Sequence, residues 1–291
     1  MRAMNKGLLK TLTLSLGGLW LLDGILQLQP AMFAGTFVNA VLAPTLVGQP
    51  RVIAGILGFG IHLWSMNMFW SNMAAAAVQL AIGALLLSPL WRSSQGAIRF
   101  GLWLSIAWAA IVWTFGEGFG MLATGSASFY TGAPGAALLY LILALFLLDA
   151  MNERTDAPLS KLPVTAGIIF LAGAALNLVP MFWTPGMLAK LAMTPAIAGP
   201  LGALGAQGTL LGNFIAVDIL IFLGIFLLLV PNRPAAWIVL AFLFIVWWIS
   251  QGFGGIATFP NGTATDLNSA PLLVLFILPI FFTQRSPQPR S

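Results

Sequence analysis

Eight runs of apolar residues, separated by short stretches rich in glycine, proline or charge, dominate this chain. A helix that crosses a bilayer needs about 20 predominantly apolar residues, because the hydrocarbon core offers no water to an open backbone group. The runs cover Thr11–Leu28, Met73–Trp91, Phe100–Phe119, Ala136–Ala150, Val164–Phe182, Thr209–Val230, Ala235–Phe253 and Ala270–Phe282. The expected fold is an all-α integral membrane protein with eight transmembrane helices. Of the 291 residues 59% are hydrophobic and 7% charged, against about a quarter charged in a soluble domain, which excludes a soluble globular protein. Cysteine is absent and His62 is the one histidine. Disulfide frameworks, cysteine-ligated metal clusters, cysteine nucleophiles and haem held by two histidines are therefore excluded.

The net charge of +5 is read as topology, not as a nucleic-acid footprint, and no nucleic-acid partner is expected. With the N-terminus inside, the inner segments hold Arg2, Lys6, Lys10, Arg92, Arg99, Arg154, Lys161, Arg233, Arg285 and Arg290, and only Arg51 and Lys190 fall outside. This positive-inside bias predicts a multi-pass protein of the plasma (inner) membrane with both termini cytoplasmic. The basic start followed by an apolar run looks like a signal peptide, but no small-x-small cleavage site follows and Asp23 interrupts the run, so it is read as an uncleaved first span. Asp149, Glu153, Arg154, Asp156 and Lys161 form the one strongly charged stretch. It marks a cytoplasmic linker, residues 151–163, between a first four-helix unit (1–150) and a second (164–291).

The two units match each other. Leu26-Gln27-Leu28-Gln29-Pro30 corresponds to Leu176-Asn177-Leu178-Val179-Pro180; Asn72 and Gly83 correspond to Asn213 and Gly224 at one constant offset. Trp113 to Gly120, with Glu117 inside, corresponds to Trp247 to Gly254, with Gln251 inside, and Ala123-Thr124 to Ala257-Thr258. An even number of spans per unit inserts both the same way up, which predicts parallel four-helix repeats rather than inverted ones. The segments 31–72 and 183–208 are apolar but broken by Pro and Gly, and are expected as interfacial helices on the outer side. The alternative, a ninth span over Val52–Trp70, weakens the charge bias. The glycine-rich ends at 116–120 and 252–255 follow no strand and so make no dinucleotide fingerprint.

The run Ala77 to Leu87 with Gln79 and Gly83, the turn at Arg92 and the helix after it resemble the middle of the DoxX/DoxD-like four-helix unit. Leu16 to Gly24, with Trp20 and Asp23, is similar to that family's opening helix. The chain departs from the family pattern where Gln79 replaces a frequent Glu and where Gln27 or Gln29 replaces a basic residue. The resemblance implies a tandem pair of such bundles. It also implies association with quinone-linked sulfur oxidation and other membrane redox systems, with a quinone as a bound lipid-phase ligand.

An ionisable group in the bilayer core costs at least ~2.5–3.5 kcal/mol on insertion scales, so Asp23, Glu117 and Asp218 need a reason. Gln27, Asn72, Gln79, Asn177, Asn213 and Gln251 lie at comparable levels, toward the outer face. One reading is two outward-facing polar cavities, the first with Asp23 and Glu117 and the second with Asp218. The other is that the amides bond across helices as packing and Glu117 caps a helix end. His62 and Met66 share a helical face that suits Cu(I), against the plainer reading of an interfacial packing histidine. No catalytic constellation is present and a stand-alone enzyme is not expected. The expected function is an integral subunit or accessory protein of a respiratory or redox assembly, partnered by the lipid bilayer and other membrane subunits. The rivals are a small-molecule or proton-coupled transporter using Asp23, Glu117 and Asp218, and a copper-handling protein.

Overall fold

The computed structural model describes residues 5–90 and 94–282. Four of the basic residues assigned to the inner side, Arg2, Arg92, Arg285 and Arg290, lie outside them. Among the described residues the chain is helical without strands. The longer helices are α1 (Lys6–Leu26), α2 (Arg51–Met66), α3 (Met68–Leu87), α4 (Gln95–Ile111), α5 (Ala136–Glu153), α6 (Leu162–Asn177), α7 (Ala206–Leu229), α8 (Arg233–Ile249) and α9 (Ser269–Ile277).

Among the described residues six segments are long and apolar enough to cross a membrane: Lys6–Leu26, Met68–Leu90, Gln95–Gly116, Ala136–Glu153, Leu159–Asn177 and Ala206–Leu229. Arg233–Ile249 with Gly252–Thr258, bent by 48°, makes a seventh when taken as one span, and Ser269–Phe282 is shorter. Their outward faces are apolar. Phe100, Trp103, Leu211, Phe222, Trp237 and Phe244 are all exposed, the inverse of what water selects and what lipid allows.

Local chemistry sets the helix starts. The Asn5 side chain accepts from Gly7 and Leu8 N–H to cap α1, Ser94 caps α4 through Ala97 N–H, and Asn232 caps α8 through Ala235 N–H. Small polar acceptors at these positions satisfy amides that have no partner in the first turn. The cap places the start of α1 five residues before the apolar run at Thr11, because an exposed polar first turn costs little once capped.

α1 packs most extensively on α3, α6 on α7, α4 on α5, and α8 on α9. In the first two pairs glycine lets backbones approach: a Cβ on Gly83 would lie 2.8 Å from the Leu21 nitrogen, and one on Gly167 would lie 2.9 Å from the Gly224 carbonyl oxygen. Such contacts drive association where lipid is as apolar as the side chains. One buried apolar cluster, including Leu16, Trp20, Leu143, Phe170, Leu220 and Leu273, runs through both halves. α5, α6 and α9 meet at its centre.

The segment 30–66 is more structured than interfacial turns require. Short 3₁₀, α and π turns from Pro30 to Leu46 lead into α2, which abuts α3 at Asn67. α2 is apolar but too short to qualify as a span. In the second half the corresponding segment holds only short helices, Met187–Lys190 and Pro195–Gly202.

Candidate functional site

The polar residues of the first half gather at one end of the bundle, near the C-terminal ends of the α1 and α4 segments and the N-terminal ends of α3 and α5. Tyr140 Oη, on α5, donates to Asp23 Oδ2 at 2.6 Å inside the protein. The Tyr140 ring lies 4.2 Å from that of Trp20, whose indole N–H donates to Ser105 Oγ at 2.8 Å. Asp23 Oδ1 has no protein partner. One turn further out, Gln27 Nε2 donates to Asn72 Oδ1 at 2.6 Å, and Asn72 Nδ2 donates back to the Gln27 carbonyl at 2.8 Å. That reciprocal pair ties α1 to α3.

Glu117 follows the π turn Val112–Gly116 that ends the α4 segment, so it stands just past the span Gln95–Gly116. Its Oε1 accepts from Ala137 N–H at 2.9 Å, which caps the start of α5 with a carboxylate. Its Oε2 is buried with no partner. Burial, reinforced by the nearby Asp266 carboxylate and opposed by the Ala137 amide, pushes the Glu117 carboxyl up to about 8. Asp266, in the segment before α9, is likewise raised by burial, with bonds from Thr265 and Asn268 working the other way.

Two cavities meet at this pair of acids. The larger, about 670 Å³, is lined by hydroxyl-bearing and backbone-rich residues such as Ser126, Thr131, Thr258 and Asn268. The smaller, about 360 Å³, is walled by Phe37, Trp64, Trp108, Ile111 and Phe115, with Gln27 and Gln79 among its polar residues. Glu117 and Asp266 line both. Four residues of the smaller cavity keep a buried polar atom with no protein partner: Trp64 Nε1, Gln79 Oε1, Trp108 Nε1 and Glu117 Oε2. An apolar cavity with a few polar groups is the usual form of a small-molecule site. None of its lining residues, nor of the larger cavity's, is Lys, Arg or His.

The second half carries the same bonds on different residues. Asn213 Nδ2 donates to the Asn177 carbonyl at 3.2 Å, as Asn72 does to that of Gln27. Trp247 Nε1 donates to the Leu267 carbonyl at 2.8 Å, as Trp113 Nε1 does to that of Pro134 at 2.9 Å. Gln251 Oε1 accepts from Ala270 N–H at 3.1 Å, in the manner of Glu117. Here the likeness stops, since Gln251 Nε2 also donates to Ser269 Oγ at 3.0 Å and the amide is complete. At the sequence spacing that pairs Gln27 with Asn177, Asp23 falls on Gly173. A Cβ there would lie 2.7 Å from Phe129 Cβ, so the first half's outer segment fills the place of the acid.

The segments that lead into α5 (residues 118–135) and into α9 (residues 252–268) each pack against the other half. Ser128 Oγ donates to Asn177 Oδ1 at 2.8 Å and Tyr130 Oη to the Ala216 carbonyl at 2.7 Å. In return Gln29 Nε2 donates to the Ala264 carbonyl at 2.8 Å, and Asp266 reaches the cavities of the first half. Glycines allow this packing. At Gly120, with φ +63°, a Cβ would stand 2.0 Å from the Pro134 carbonyl oxygen, and at Gly254, with φ +67°, 2.5 Å from that of Asp266.

Of the residues singled out from sequence, Gln27, Gln79 and Glu117 line the smaller cavity. Asn72 adjoins it through its bonds to Gln27, Asp23 and its partner Tyr140 line neither cavity, Asn177 and Asn213 share an inter-helix bond in the second half, and Gln251 bonds Ala270 and Ser269 beside the larger cavity. Asp218 joins none of these and lies exposed in a groove between α7 and α8. His62 and Met66 are exposed on α2, and no group of three His, Cys, Asp or Glu converges among the described residues. Trp64 and Trp108, which line the smaller cavity, and Tyr140, which holds Asp23, are residues that periodicity does not distinguish from core. Tyr140 carried a usable signal, being one of two tyrosines in the chain and lying within an apolar span. Comparison with family models, curated proteins and solved structures returns no match.

Proposed function

We propose that the chain is a multi-pass membrane protein of two parallel four-helix repeats, eight spans in all, with both termini cytoplasmic. Its first half holds a lipid-phase amphiphile of the quinone class, and the protein serves as a subunit of a membrane redox assembly. The repeat is supported by the recurrent bonds at Asn72 and Asn213, Trp113 and Trp247, and Glu117 and Gln251. The resemblance of α1 and α3 to the DoxX/DoxD-like unit supports the redox setting.

The observation that carries the ligand class is the 360 Å³ cavity with its four unpartnered polar atoms on aromatic walls. A quinone head is a planar ring with two acceptor oxygens, and the Trp64 and Trp108 indoles are donors. Its reduced form needs acceptors, which Gln79 and Glu117 supply. Glu117, with a carboxyl raised to about 8, is suited to exchange a proton with that head near neutral pH.

Equilibrium binding of a short-chain benzoquinone to the protein in lipid nanodiscs tests this. Wild type is expected to bind, and Trp108→Phe and Glu117→Gln each to weaken binding about tenfold, the value of one buried hydrogen bond. No saturable binding to wild type would end the quinone reading. A second reading, a proton-coupled carrier, is favoured by Glu117 and Asp266 lining both cavities while no basic residue does. Unchanged proton-coupled uptake in Asp23→Asn and Glu117→Gln proteoliposomes would end that one.

A further inference from the structure

Asp218 has no part in the acid cluster of the first half, yet it stands at the middle of α7, in the most apolar of the qualifying spans. Its side chain is exposed. At the spacing that pairs Asn72 with Asn213 and Gly83 with Gly224, its counterpart is Ala77, exposed in the same way on α3. The helical phase is thus lipid-facing in both halves, and only one half places an acid there. Around Asp218 the surface is a groove between α7 and α8, formed with Phe222, Ile238, Ala241, Phe242 and Ile245. The first-half counterparts of these helices, α3 and α4, lie closer together, with Gly101 against Leu85 and Leu86.

A carboxyl facing hydrocarbon is costly unless a partner in the membrane satisfies it. A second copy of this chain offers no cation at that depth, since every described Lys and Arg stands near a helix end or in a connecting segment. Nothing else in the groove can satisfy an acid. We propose that the α7–α8 groove docks a transmembrane helix of a different subunit, one that carries a basic side chain near mid-bilayer. The small side chain of Ala241 leaves room for close approach, and the acid fixes depth and register, the role polar residues play between packed helices.

The absence of cysteine makes the test clean. Leu229→Cys, exposed at the end of α7 outside the groove, is labelled with a donor fluorophore and reconstituted in phosphatidylcholine vesicles with acceptor-labelled polyleucine spanning peptides that carry Lys or Leu at the centre. The Lys peptide is expected to saturate energy transfer at a peptide-to-lipid ratio about tenfold lower than the Leu peptide. The preference should vanish in Asp218→Asn and in Asp218→Leu, both on an exposed face that does not threaten the fold. The proposal is overturned if both peptides behave alike on the labelled protein, if the preference survives the Asp218 changes, or if donor- and acceptor-labelled copies of the protein pair with an energy transfer that Asp218→Leu abolishes, which would make the groove a homodimer face.

Discussion

At the scale of single residues, Tyr140 and Asp23 act as one buried unit, joined at 2.6 Å. The other carboxylate oxygen is already unpartnered, so Tyr140→Phe strips the acid of its one side-chain donor. Leaving a buried charged or polar group unsatisfied costs about 1–3 kcal/mol, which thermal unfolding in detergent should register. In an Asp23→Ala background the same change should cost clearly less, and equal cost in both backgrounds would assign Tyr140 to packing alone.

Glu117 sets a pH dependence. Its folded carboxyl sits at about 8 against an ordinary 4.5, so the folded state holds a proton that the unfolded state releases over that interval. The stabilising contribution is complete below about 4.5, declines as pH rises and is lost above about 8. The melting temperature of wild type relative to Glu117→Gln should fall across this window; a flat difference would mean that water reaches the carboxyl. Neither effect was legible in the sequence, where Asp23 and Glu117 stood out only as acids in apolar runs. Their partners, Tyr140 and Asp266, are 117 and about 150 positions away, and no local pattern encodes a contact at that distance.

At the scale of elements, what decides helix pairing is where side chains are missing. A Cβ on Gly83 would collide with the Leu21 backbone, whereas Gly18, on α1, has nothing within 4 Å. Gly83→Ala should therefore destabilise by about 1–3 kcal/mol through forced separation of α1 and α3. Gly18→Ala should be neutral or gain up to about 1 kcal/mol from helix propensity. The two melting temperatures shifting in the same direction would contradict this account of the α1–α3 contact. Helix existence was plain in the sequence because an unbroken apolar run has one solution in lipid. Helix ends were less so, since caps such as Asn5 and the π turn before Glu117 lie outside the apolar pattern. α2 is the case where pattern alone could not choose: a mostly apolar helix of sixteen residues is short for a span and long for a turn.

At the scale of the whole molecule, the crossing of the outer segments makes one body of two similar halves. The contacts of Ser128 with Asn177 and of Gln29 with Ala264 bring both segments to one end of the bundle, as the proposed parallel repeat requires. With a membrane-impermeant thiol reagent on intact cells or sealed vesicles, Ser126→Cys and Asn261→Cys should label from the same side and Ala157→Cys from the other. Labelling of Ser126→Cys and Asn261→Cys from opposite sides would break the parallel repeat.

The sequence by itself determined that this chain is helical and apolar on its outer faces, because hydrophobic runs and scarce charge leave no soluble alternative. It also carried the internal likeness, because the residues that bond between helices recur at matched positions. Only the tertiary structure decided that the acids do not share one fate. Glu117 and Asp266 meet over a cavity, Asp23 is locked to Tyr140, and Asp218 faces outward. The physical reason is that burial belongs to the packed ensemble. The same carboxyl on the same kind of helix becomes a site residue, a structural bond or an unfilled contact according to which distant segment folds against it.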